Sequence, residues 1–515
     1  SIGSCRGASS HQHNPFLALL QKDANEDYGE VFAFNLVYSG NFLAQVEVDQ
    51  FRTIRVGMGI NPFDFSWLLE PGESFQTPEA VMVFSSKGLG AMSRTFHQLY
   101  RTRLCRGQYR DQVRPILINN WEATYFDFNA DSIERLAKTA QDLGMELFVL
   151  DDGWFGKRND DTSSLGDWFV NREKLPLGLE DLANRVRKLN LRFGLWFEPE
   201  MISPDSELYR EHPDWCLHVP GRNSSEGRHQ LILDLSREDV CRALITMVSD
   251  ILRSAPITYV KWDMNRHMTE IGSANLPPER QRETAHRYMI NLYRIMDYIT
   301  TAFPDILFEG CSGGGGRFDP GILYYMPQIW TSDNTDAIAR LKIQYGNSLV
   351  YPAITMTSHV SAVPNHQLKR VTPLDTRGHA ACSGNLGYEL DLNKLGPEEQ
   401  MLVKEQVAFY KEIRPVVQFG ELYRLQSPFE GNEAAWMYVS EDKKEAVAFY
   451  FRVLAEAAPP LRTLRLKGLD EQLDYKIHSE DRIYSGDVLI NAGLNIPETK
   501  MSGDFQSVCW RLKAV

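Results

Sequence analysis

The chain of 515 residues is longer than one ordinary single-core domain, so its length predicts two to four domains. Its composition, 43% hydrophobic and 24% charged, is that of a globular protein and argues against a disordered one. The formal net charge of -13 argues against nucleic acid and anionic membranes as partners, because both attract basic surfaces.

Cysteine and tryptophan usage narrows the class of protein further. The 7 cysteines are scattered and form no C-x-x-C pair, so a reducing, cytoplasmic setting is the simplest interpretation. No apolar run reaches transmembrane length. Several of the 10 tryptophans stand beside Asp, Glu or Asn, a mixture that suits sugar binding, although Trp is also common in protein cores.

Residues 1–113 are predicted to form mostly β-structure, followed by a linking helix. The predicted strands are 28–37, 41–48, 53–58 and 80–84, and the helix is 89–104. Because the chain opens in turn-like residues, we expect a β-sandwich that lacks its first strands. His11 and His13 are two apart and suit one side of an extended strand as metal ligands, but no third ligand stands nearby.

From residue 114 to 417, apolar strands alternate with amphipathic helices, a pattern typical of a parallel sheet in an α/β fold. The eight predicted strands are, in chain order, 116–124, 146–150, 191–197, one within 257–266, 306–309, 328–332, 353–358 and 384–388. The main predicted helices are 130–143, 179–189, 237–253, 397–413 and one within 279–303. Eight such units predict a (β/α)8 TIM barrel, whose functional sites lie at the carboxyl ends of the strands.

Residues 418–515 return to short β-runs and are predicted to form a C-terminal antiparallel β-sandwich. The predicted strands are 420–425, 434–439, 445–452, 462–467, 474–478 and 508–512. We expect the role of this domain to be structural.

The stretch 257–266 contains an apolar strand that ends in a lysine and an aspartate. Lys261 and Asp263 alternate along the strand, so both side chains point to one face at its carboxyl end. This position predicts that Asp263 is the nucleophile of an enzyme. The alternative is a structural Lys–Asp pair near a loop.

Asp333 is a second isolated carboxylate. It follows the predicted strand 328–332, which comes two strands after the one that ends in Asp263. Glycoside hydrolysis requires two carboxylates that face each other, ~5 to 5.5 Å apart for retention and ~6.5 to 9.5 Å apart for inversion. We expect Lys261 to keep Asp263 ionised, and we expect the anionic Asp263 and aromatic neighbours such as Trp330 to raise the pKa of Asp333. The alternative is that both aspartates only cap helices.

Two adjacent carboxylates, Asp151 and Asp152, follow the second barrel strand. They suit hydrogen bonds to sugar hydroxyls, and the alternative is a divalent metal site, which their neighbours Gly153 and Trp154 do not support. Trp121, Trp154 and Trp196 also stand at strand ends. We interpret them as walls on which a sugar ring stacks, although any one of them suits a protein core equally well.

The fifth barrel strand leads into a glycine-rich loop at 311–316. The loop lacks the lysine of a phosphate-binding loop, so nucleotide binding is not indicated. Glycine here lets the backbone approach a substrate closely. Cys311 is a possible nucleophile in principle, but no histidine nearby in the sequence forms an evident pair with it.

Seven motifs, in this order along the chain, resemble those of the α-galactosidases of glycoside hydrolase family 36. They are WEAT at 121–124, LDDGWFG at 150–156, LGDW at 165–168, WFEPE at 196–200, KWDMNR at 261–266, CSGGGGR at 311–317 and SDN at 332–334. The resemblance implies a retaining mechanism with Asp263 as nucleophile and Asp333 as acid/base. It implies substrate contacts from Trp121, Asp151, Asp152, Trp196, Arg228, Lys261, Cys311 and Gly313.

The resemblance also implies the overall organisation and the assembly. Family members have an N-terminal β-sandwich, the barrel and a C-terminal β-domain, and many are homotetramers. This chain departs from that pattern in appearing to start inside the N-terminal sandwich. No cofactor and no metal are implied.

The predicted function is therefore release of terminal α-linked galactose from oligosaccharides such as melibiose and raffinose. The alternatives within the family are α-N-acetylgalactosaminidase activity and galactosyl transfer. The alternatives outside it are a catalytically silent sugar-binding fragment and a metal-dependent lyase or hydrolase on the same barrel.

Overall fold

Two small antiparallel sheets form the first part of the structure, a computed structural model that describes residues 1–9, 11–478, 482–497 and 501–515. Their strands are β1 (Ile2–Gly3), β2 (Phe16–Leu20), β3 (Val31–Val37), β4 (Phe42–Val48), β5 (Ile54–Ile60) and β6 (Glu79–Ser85). The sheet orders are β1-β4-β5 and β2-β3-β6. The four predicted strands correspond to β3, β4, β5 and β6. The sequence missed β1, which has only two residues, and β2, whose continuous apolar run lacks the alternation of a half-buried strand.

One helical stretch leads from these sheets towards the barrel, as predicted for 89–104. Helix α1 (Gly88–Leu99) continues as a π-helical segment, Tyr100–Leu104, and a 3-10 turn follows at Gln108–Arg110. The side chain of Phe96 is fully buried and its ring lies 6.0 Å from that of Phe16. The helix therefore packs directly against the sheet that contains β2.

The central part of the chain folds into a closed barrel of eight parallel strands, which confirms the predicted fold class. The strands from this part of the chain are β7 (Leu117–Asn119), β8 (Leu147–Leu150), β9 (Arg192–Phe197), β10 (Met201–Ile202), β11 (Leu231–Ile232), β12 (Tyr259–Trp262), β13 (Leu307–Gly310), β14 (Gln328–Trp330), β15 (Met356–Ser361) and β16 (Asn385–Glu389). The barrel order is β12-β13-β14-β15-β16-β7-β8-β9, while β10 and β11 pair with each other outside it.

Helices cover the outside of the barrel and follow its strands in the chain. They are α2 (Trp121–Thr124), α3 (Ala130–Asp142), α4 (Leu179–Lys188), α5 (Glu207–Glu211), α6 (Glu238–Ser254), α7 (Thr284–Ala302), α8 (Pro320–Leu323), α9 (Ala337–Asn347), α10 (Leu374–Cys382) and α11 (Pro397–Phe419). Short 3-10 helices lie at Pro213–Trp215, Pro278–Glu283, Ala353–Thr355 and Leu392–Lys394. The apolar faces of α3, α4 and α6 are buried against the strands, as their helical periodicity predicts.

Two predicted barrel strands have the wrong bounds, for identifiable reasons. The strand predicted at 116–124 ends at Asn119, because the Asn119 side chain accepts a hydrogen bond from the backbone of Trp121 at 2.7 Å and turns the chain into α2. The strand predicted at 353–358 begins only at Met356. The backbone N–H of Thr355 bonds to the carbonyl of Pro352 at 2.9 Å, which makes the preceding residues 3-10 helical.

The last part of the chain forms a mainly antiparallel β-domain. Its elements are β17 (Glu421–Gln426), β18 (Glu433–Val439), β19 (Glu445–Arg452), β20 (Thr463–Leu464), β21 (Asp474–Ile477), β22 (Arg482–Ser485), α12 (Gly486–Asn491), β23 (Leu494–Asn495) and β24 (Gln506–Ala514). Six strands form the sheet β17-β18-β19-β24-β21-β22, and β20 pairs with β23. A separate apolar core that includes Met437, Tyr450 and Trp510 lies within this domain.

A buried arginine joins the three parts of the molecule. The Arg424 guanidinium, on β17, donates to both carboxylate oxygens of Glu26 at 2.8 and 2.9 Å. It also donates to the Ser348 carbonyl of the barrel at 2.9 Å and to the Ser93 hydroxyl of α1 at 2.8 Å. These charge-assisted bonds hold the terminal sheets against the barrel.

Candidate active site

A polar pocket of about 250 Å³ opens at the carboxyl ends of the barrel strands, where TIM barrels hold their functional residues. Its lining residues are Trp121, Glu122, Asp151, Asp152, Trp196, Arg228, Lys261, Asp263, Asn265, Trp330, Asp333, Thr335, His366, Gln367 and Glu389. The folding of eight separate strand ends brings these residues together from across the barrel. Of the predicted site residues, Cys311, Gly313 and Trp154 do not line the pocket, and the others do.

Asp263 follows β12 directly and is surrounded by hydrogen-bond donors. Its Oδ1 accepts from the backbone N–H groups of Met264 at 2.8 Å and Gly313 at 3.2 Å. Its Oδ2 accepts from Asn265 Nδ2 at 2.8 Å and from Trp196 Nε1 at 3.2 Å. Both oxygens are thus fixed in position, which is the preorganisation that a nucleophilic carboxylate needs.

The charge of Asp263 is stabilised in spite of its burial. Burial alone raises the pKa of a carboxyl, but the Lys261 ammonium and hydrogen bonds from Cys311 and Asn265 lower the pKa of Asp263 below its usual value. The Cys311 thiol is itself buried, and burial together with the charge of Asp263 raises the pKa of Cys311 well above its usual value. This thiol therefore supports Asp263 as a donor and is a poor nucleophile itself.

Asp333 follows β14 and has an opposite electrostatic setting. Burial and the nearby charge of Asp263 raise the pKa of Asp333, against the lowering effects of Lys261 and a hydrogen bond from Trp330. That bond runs from Trp330 Nε1 to Asp333 Oδ1 and is 2.9 Å long. Two carboxyls of one pocket thus have pKa values pushed in opposite directions, the pattern of a nucleophile beside an acid.

The aspartate that caps a helix in this region is Asp336, and not Asp263 or Asp333. Asp336 accepts from the backbone N–H of Ala339 at 2.8 Å and caps α9. Asp333 stands three residues earlier, in the pocket lining. After Asp263 the chain runs through loop residues as far as the 3-10 helix at Pro278–Glu283, so Asp263 caps no helix either.

Lys261 lies beside both Asp263 and a second carboxylate. Its Nζ contacts Asp151 Oδ2 at 2.9 Å, and Asn119 Nδ2 donates to the same oxygen at 2.6 Å. The ion pair of Lys261 is thus formed with Asp151 of the second strand end, whereas the structural-pair alternative paired Lys261 with Asp263. Burial raises the pKa of Asp151, although Lys261 opposes the effect, so a ligand that supplies further donors stabilises its ionised form.

Asp152 and Arg228 line the pocket from two loops. Asp152 is held by Arg158, whose Nε and NH2 donate to its carboxylate at 3.0 and 2.8 Å with both side chains buried. Arg228, on the loop before β11, has a positive φ of 56°, a conformation that only surrounding contacts can maintain. The charges of Glu198 and Asp263 raise the pKa of Arg228, against the effect of burial, so it is a cation facing the pocket.

The three tryptophans have different locations. Trp121 and Trp196 line the pocket. Trp154 has no solvent-exposed surface, and its Nε1 donates to the Trp196 carbonyl at 2.9 Å. The interpretation of Trp154 as a stacking wall is therefore wrong, because its ring belongs to the core beneath Trp196.

The glycine-rich loop presents backbone to Asp263. Gly313 and Gly314 have positive φ values of 54° and 85°, which favour glycine over other residues. Below the loop, Arg317 donates to the Ser312 hydroxyl at 2.7 Å and forms two bonds with Glu200 at 2.8 and 3.0 Å. The N–H of Gly313 therefore serves the carboxylate of Asp263 and forms no phosphate cradle.

Several pocket residues were missed by the sequence analysis. They are Glu122, Asn265, Thr335, His366, Gln367 and Glu389. Glu122, Asn265, Thr335 and Glu389 stand at or just after barrel strands, so the rule that sites lie at strand ends was a usable signal for them. His366 and Gln367 lie on a long loop after β15, and no motif marks them.

Another buried carboxylate, Glu198, supports Asp263 through Asn265. Glu198 accepts a hydrogen bond from the backbone N–H of Asn265 and lies near Asp263. Burial and the charge of Asp263 raise the pKa of Glu198 to about 8. Because Asn265 in turn donates to Asp263, Glu198 helps to position the amide that holds Asp263.

His11 was a candidate metal ligand, and its side chain contacts the glycine-rich loop. Its Nε2 lies 2.6 Å from the carbonyl oxygen of Gly313. Within the described ranges, no three His, Cys, Asp or Glu side chains are grouped in a way that suits a metal ion. None of the helices in the described part of the chain has both the length and the apolar character needed to span a bilayer.

The barrel, its paired carboxylates and the aromatic and polar walls of the pocket define the class of a glycoside hydrolase. The model of the melibiase family matches residues 74–420. The models of the N-terminal and C-terminal domains of glycosyl hydrolase family 36 match residues 1–70 and 433–512. The chain therefore belongs to glycosyl hydrolase family 36, and its activity is that of an α-galactosidase.

Relatives in this family are similar over the whole chain. The chain is 69% identical to the α-galactosidase AgaA of Geobacillus stearothermophilus over 99% of its length and 70% of that protein's length. The crystal structure of AgaA aligns with a TM-score of 0.98 over 100% of this chain and 71% of that one. The chain is also 52% identical to the α-galactosidase Mel36A of Lactobacillus acidophilus over 100% of its length and 70% of that protein. A crystal structure of an AgaA variant in complex with raffinose is 68% identical and aligns with a TM-score of 0.98, again over 100% of this chain and 71% of that one.

The family match also covers the N-terminal part of the chain. Residues 1–70 match the model of the family's N-terminal domain, so that domain is represented in the chain. The opening residues, which look turn-like in the sequence, include the two-residue strand β1, which pairs with β4 through Ile2 and Gly3.

Proposed function

We propose that the enzyme releases terminal α-galactosyl residues from oligosaccharides of the raffinose type by double displacement, with Asp263 as nucleophile and Asp333 as acid/base. The observation that carries this assignment is the position of both carboxyls in one pocket, where hydrogen-bond donors hold Asp263 and the two pKa values are shifted in opposite directions. A nucleophile must be ionised and an acid must be protonated before the first step. The raffinose complex of the related AgaA variant supports the substrate class.

The first step forms a galactosyl ester. The Asp263 carboxylate attacks the anomeric carbon while the carboxyl group of Asp333 gives its proton to the glycosidic oxygen, and the rest of the oligosaccharide leaves. In the second step the Asp333 carboxylate removes a proton from water, the water oxygen attacks the anomeric carbon, and the bond to Asp263 breaks. Two inversions release galactose with its α configuration retained.

The polar walls hold the galactose during both steps. Asp151 and Asp152 accept hydrogen bonds from sugar hydroxyls, since Lys261 and Arg158 hold the two carboxyl groups in position. Trp121 and Trp196 supply apolar faces for the C–H surface of the ring. Arg228, Cys311 and Gly313 complete the proposed substrate contacts. Cys311 and Gly313 contact the substrate in addition to the hydrogen bonds that they form with Asp263.

Replacement of Asp333 by Ala tests the acid/base role. Loss of a general acid lowers kcat/KM for raffinose by roughly a hundredfold to ten-thousandfold. The loss of kcat/KM for 4-nitrophenyl α-galactoside should be far smaller. Nitrophenolate leaves without protonation, so formation of the ester from this substrate needs no acid. Steady-state rates on both substrates measure the difference, and exposed Asp23→Ala is the matched control. Equal losses on both substrates contradict the assignment.

We further propose the domain divisions, the location and the assembly. The division at residues 113 and 417 is supported by the barrel strands, which run from β7 to β16, and by α11, which ends at Phe419. A cytoplasmic location is supported by the free state of all the cysteines in the described residues. A homotetramer is supported by the family membership and by apolar side chains exposed on the N-terminal sheet, namely Phe32, Met82 and Phe84.

A further inference from the structure

The pocket has a buried end and an exposed rim. Asp151 and Lys261 are almost fully buried at the inner end. His366 and Gln367 line the same pocket but are solvent-exposed. A galactose at the non-reducing end of an oligosaccharide enters such a pocket first, so the remaining sugar units must lie at the rim.

Hydrogen bonds hold the loop that carries His366 and Gln367 in a defined conformation. Asn365 is buried, and its Oδ1 accepts from the backbone N–H groups of Gln367 at 3.1 Å and Leu368 at 2.9 Å. This arrangement fixes the direction in which the two rim side chains project. An ion pair between Arg370 and Asp336 ties the far end of the loop to the start of α9.

The same loop is connected to the segment that carries the acid/base. Asn365 Nδ2 donates to the Thr335 hydroxyl at 3.2 Å, and that hydroxyl donates to Glu122 Oε1 at 2.9 Å. The same oxygen of Glu122 lies 3.3 Å from His366 Nδ1. Because Thr335 is two residues from Asp333, the rim loop stands beside the group that protonates the glycosidic oxygen.

We propose that His366 and Gln367, with Glu122 beneath them, form the binding site for the sugar that departs from the galactosyl residue. The inference rests on the proposed function and deepens it. The Gln367 amide and the imidazole of His366 offer hydrogen-bond donors and acceptors to the hydroxyls of a neutral sugar. The site is thus a determinant of preference between oligosaccharides and simple galactosides.

The charge state of the rim suits a neutral ligand. Burial and the charge of Glu389 raise the pKa of Glu122 to about 8, so Glu122 carries a proton near neutral pH. Burial lowers the pKa of His366, which keeps its imidazole neutral at the same pH. Two uncharged partners face the departing sugar, whose hydroxyls are uncharged as well.

The test compares two substrates that share the galactosyl residue and differ in the leaving group. In His366→Ala and Gln367→Ala, kcat/KM for raffinose should fall by about tenfold, the effect of one lost hydrogen bond, while kcat/KM for methyl α-galactoside changes by less than about twofold. Inhibition by free galactose, which fills only the buried end, should remain within about twofold of the parent enzyme. His366→Gln, which retains a donor and an acceptor, should recover part of the raffinose activity.

Leu368→Ala is the matched control, because Leu368 is exposed on the same loop and does not line the pocket. Its activity on both substrates should equal that of the parent enzyme. Equal losses on raffinose and methyl α-galactoside, no loss on either, or weakened galactose inhibition would each overturn the proposal. If the parent enzyme hydrolyses neither substrate, the proposed function itself fails, which is a distinct result.

Discussion

Two aspartates of one pocket differ in what their oxygens contact. Asp263 accepts hydrogen bonds from Trp196, Met264, Asn265 and Gly313, and the Cys311 thiol is a further donor. Asp333 accepts one side-chain hydrogen bond, from Trp330. Donors stabilise the ionised form of a carboxyl, and burial without donors stabilises the protonated form. At the scale of single residues, the proposed division of roles between nucleophile and acid thus follows from local donors.

The bond from Trp330 predicts a specific pH effect. The indole N–H favours the ionised form of Asp333, so its removal in Trp330→Phe should raise the pKa of Asp333 further. Because Asp333 must be protonated for the first step, the alkaline limb of kcat/KM should move to higher pH. The acid limb reports Asp263, which must be ionised, and should stay in place. A pH profile of kcat/KM measures both limbs, and movement of the alkaline limb to lower pH would contradict the proposed roles.

The elements of the barrel are short, and the loops between them carry the chemistry. Barrel strands β7 and β14 have only three residues each, yet both lead directly into pocket residues. The glycine-rich loop after β13 approaches the segment after β14 so closely that a side chain has no room. A Cβ on Gly314 would lie 2.7 Å from the backbone nitrogen of Asp333 and 2.9 Å from Ser332 Cα.

Gly314→Ala therefore tests the packing of these two loops. The substitution places alanine at a φ of 85° and against the backbone of Asp333, so we expect a loss of at least about 1–2 kcal/mol in the free energy of unfolding. We also expect a loss of kcat, because Asp333, the proposed acid/base, is displaced. Gly346→Ala in α9 is the control: a Cβ there meets nothing within 4 Å, and replacing a helical glycine should stabilise the protein by about 0.5–1 kcal/mol.

Urea unfolding measures the free energy of unfolding of each variant, and steady-state rates measure its kcat. If Gly314→Ala retained the stability and kcat of the parent enzyme, the close approach of the two loops would have no functional role. A destabilised Gly346→Ala would show instead that alanine substitution in this part of the chain is harmful for some other reason.

At the scale of the whole molecule, the architecture was predictable because it depends on local patterns. Alternation of apolar strands with amphipathic helices marked the barrel, and unusual polar residues such as Asp151 and Asp333 marked its carboxyl-end mouth. Two-residue strands such as β1 were missed, because so few residues carry no periodicity.

Contacts between distant parts of the chain were beyond the sequence. The principal partner of Lys261 is Asp151, which lies on another strand end, and nothing in either motif fixes that choice. Trp154 and Trp196 look alike in sequence, and only packing places Trp154 in the core. His366 reaches the pocket along a loop whose path depends on the buried contacts of Asn365.

The central claim is that the intact enzyme forms a galactosyl ester on Asp263. The most direct measurement is incubation with 5-fluoro-α-galactosyl fluoride, a slow substrate whose ester is hydrolysed slowly, followed by proteolysis and mass spectrometry. The account predicts one added fluorogalactosyl group per chain, on the peptide that contains Asp263, and no added group in Asp263→Ala. A label on any other peptide, or turnover without a label while the product forms as the β-anomer, would contradict it.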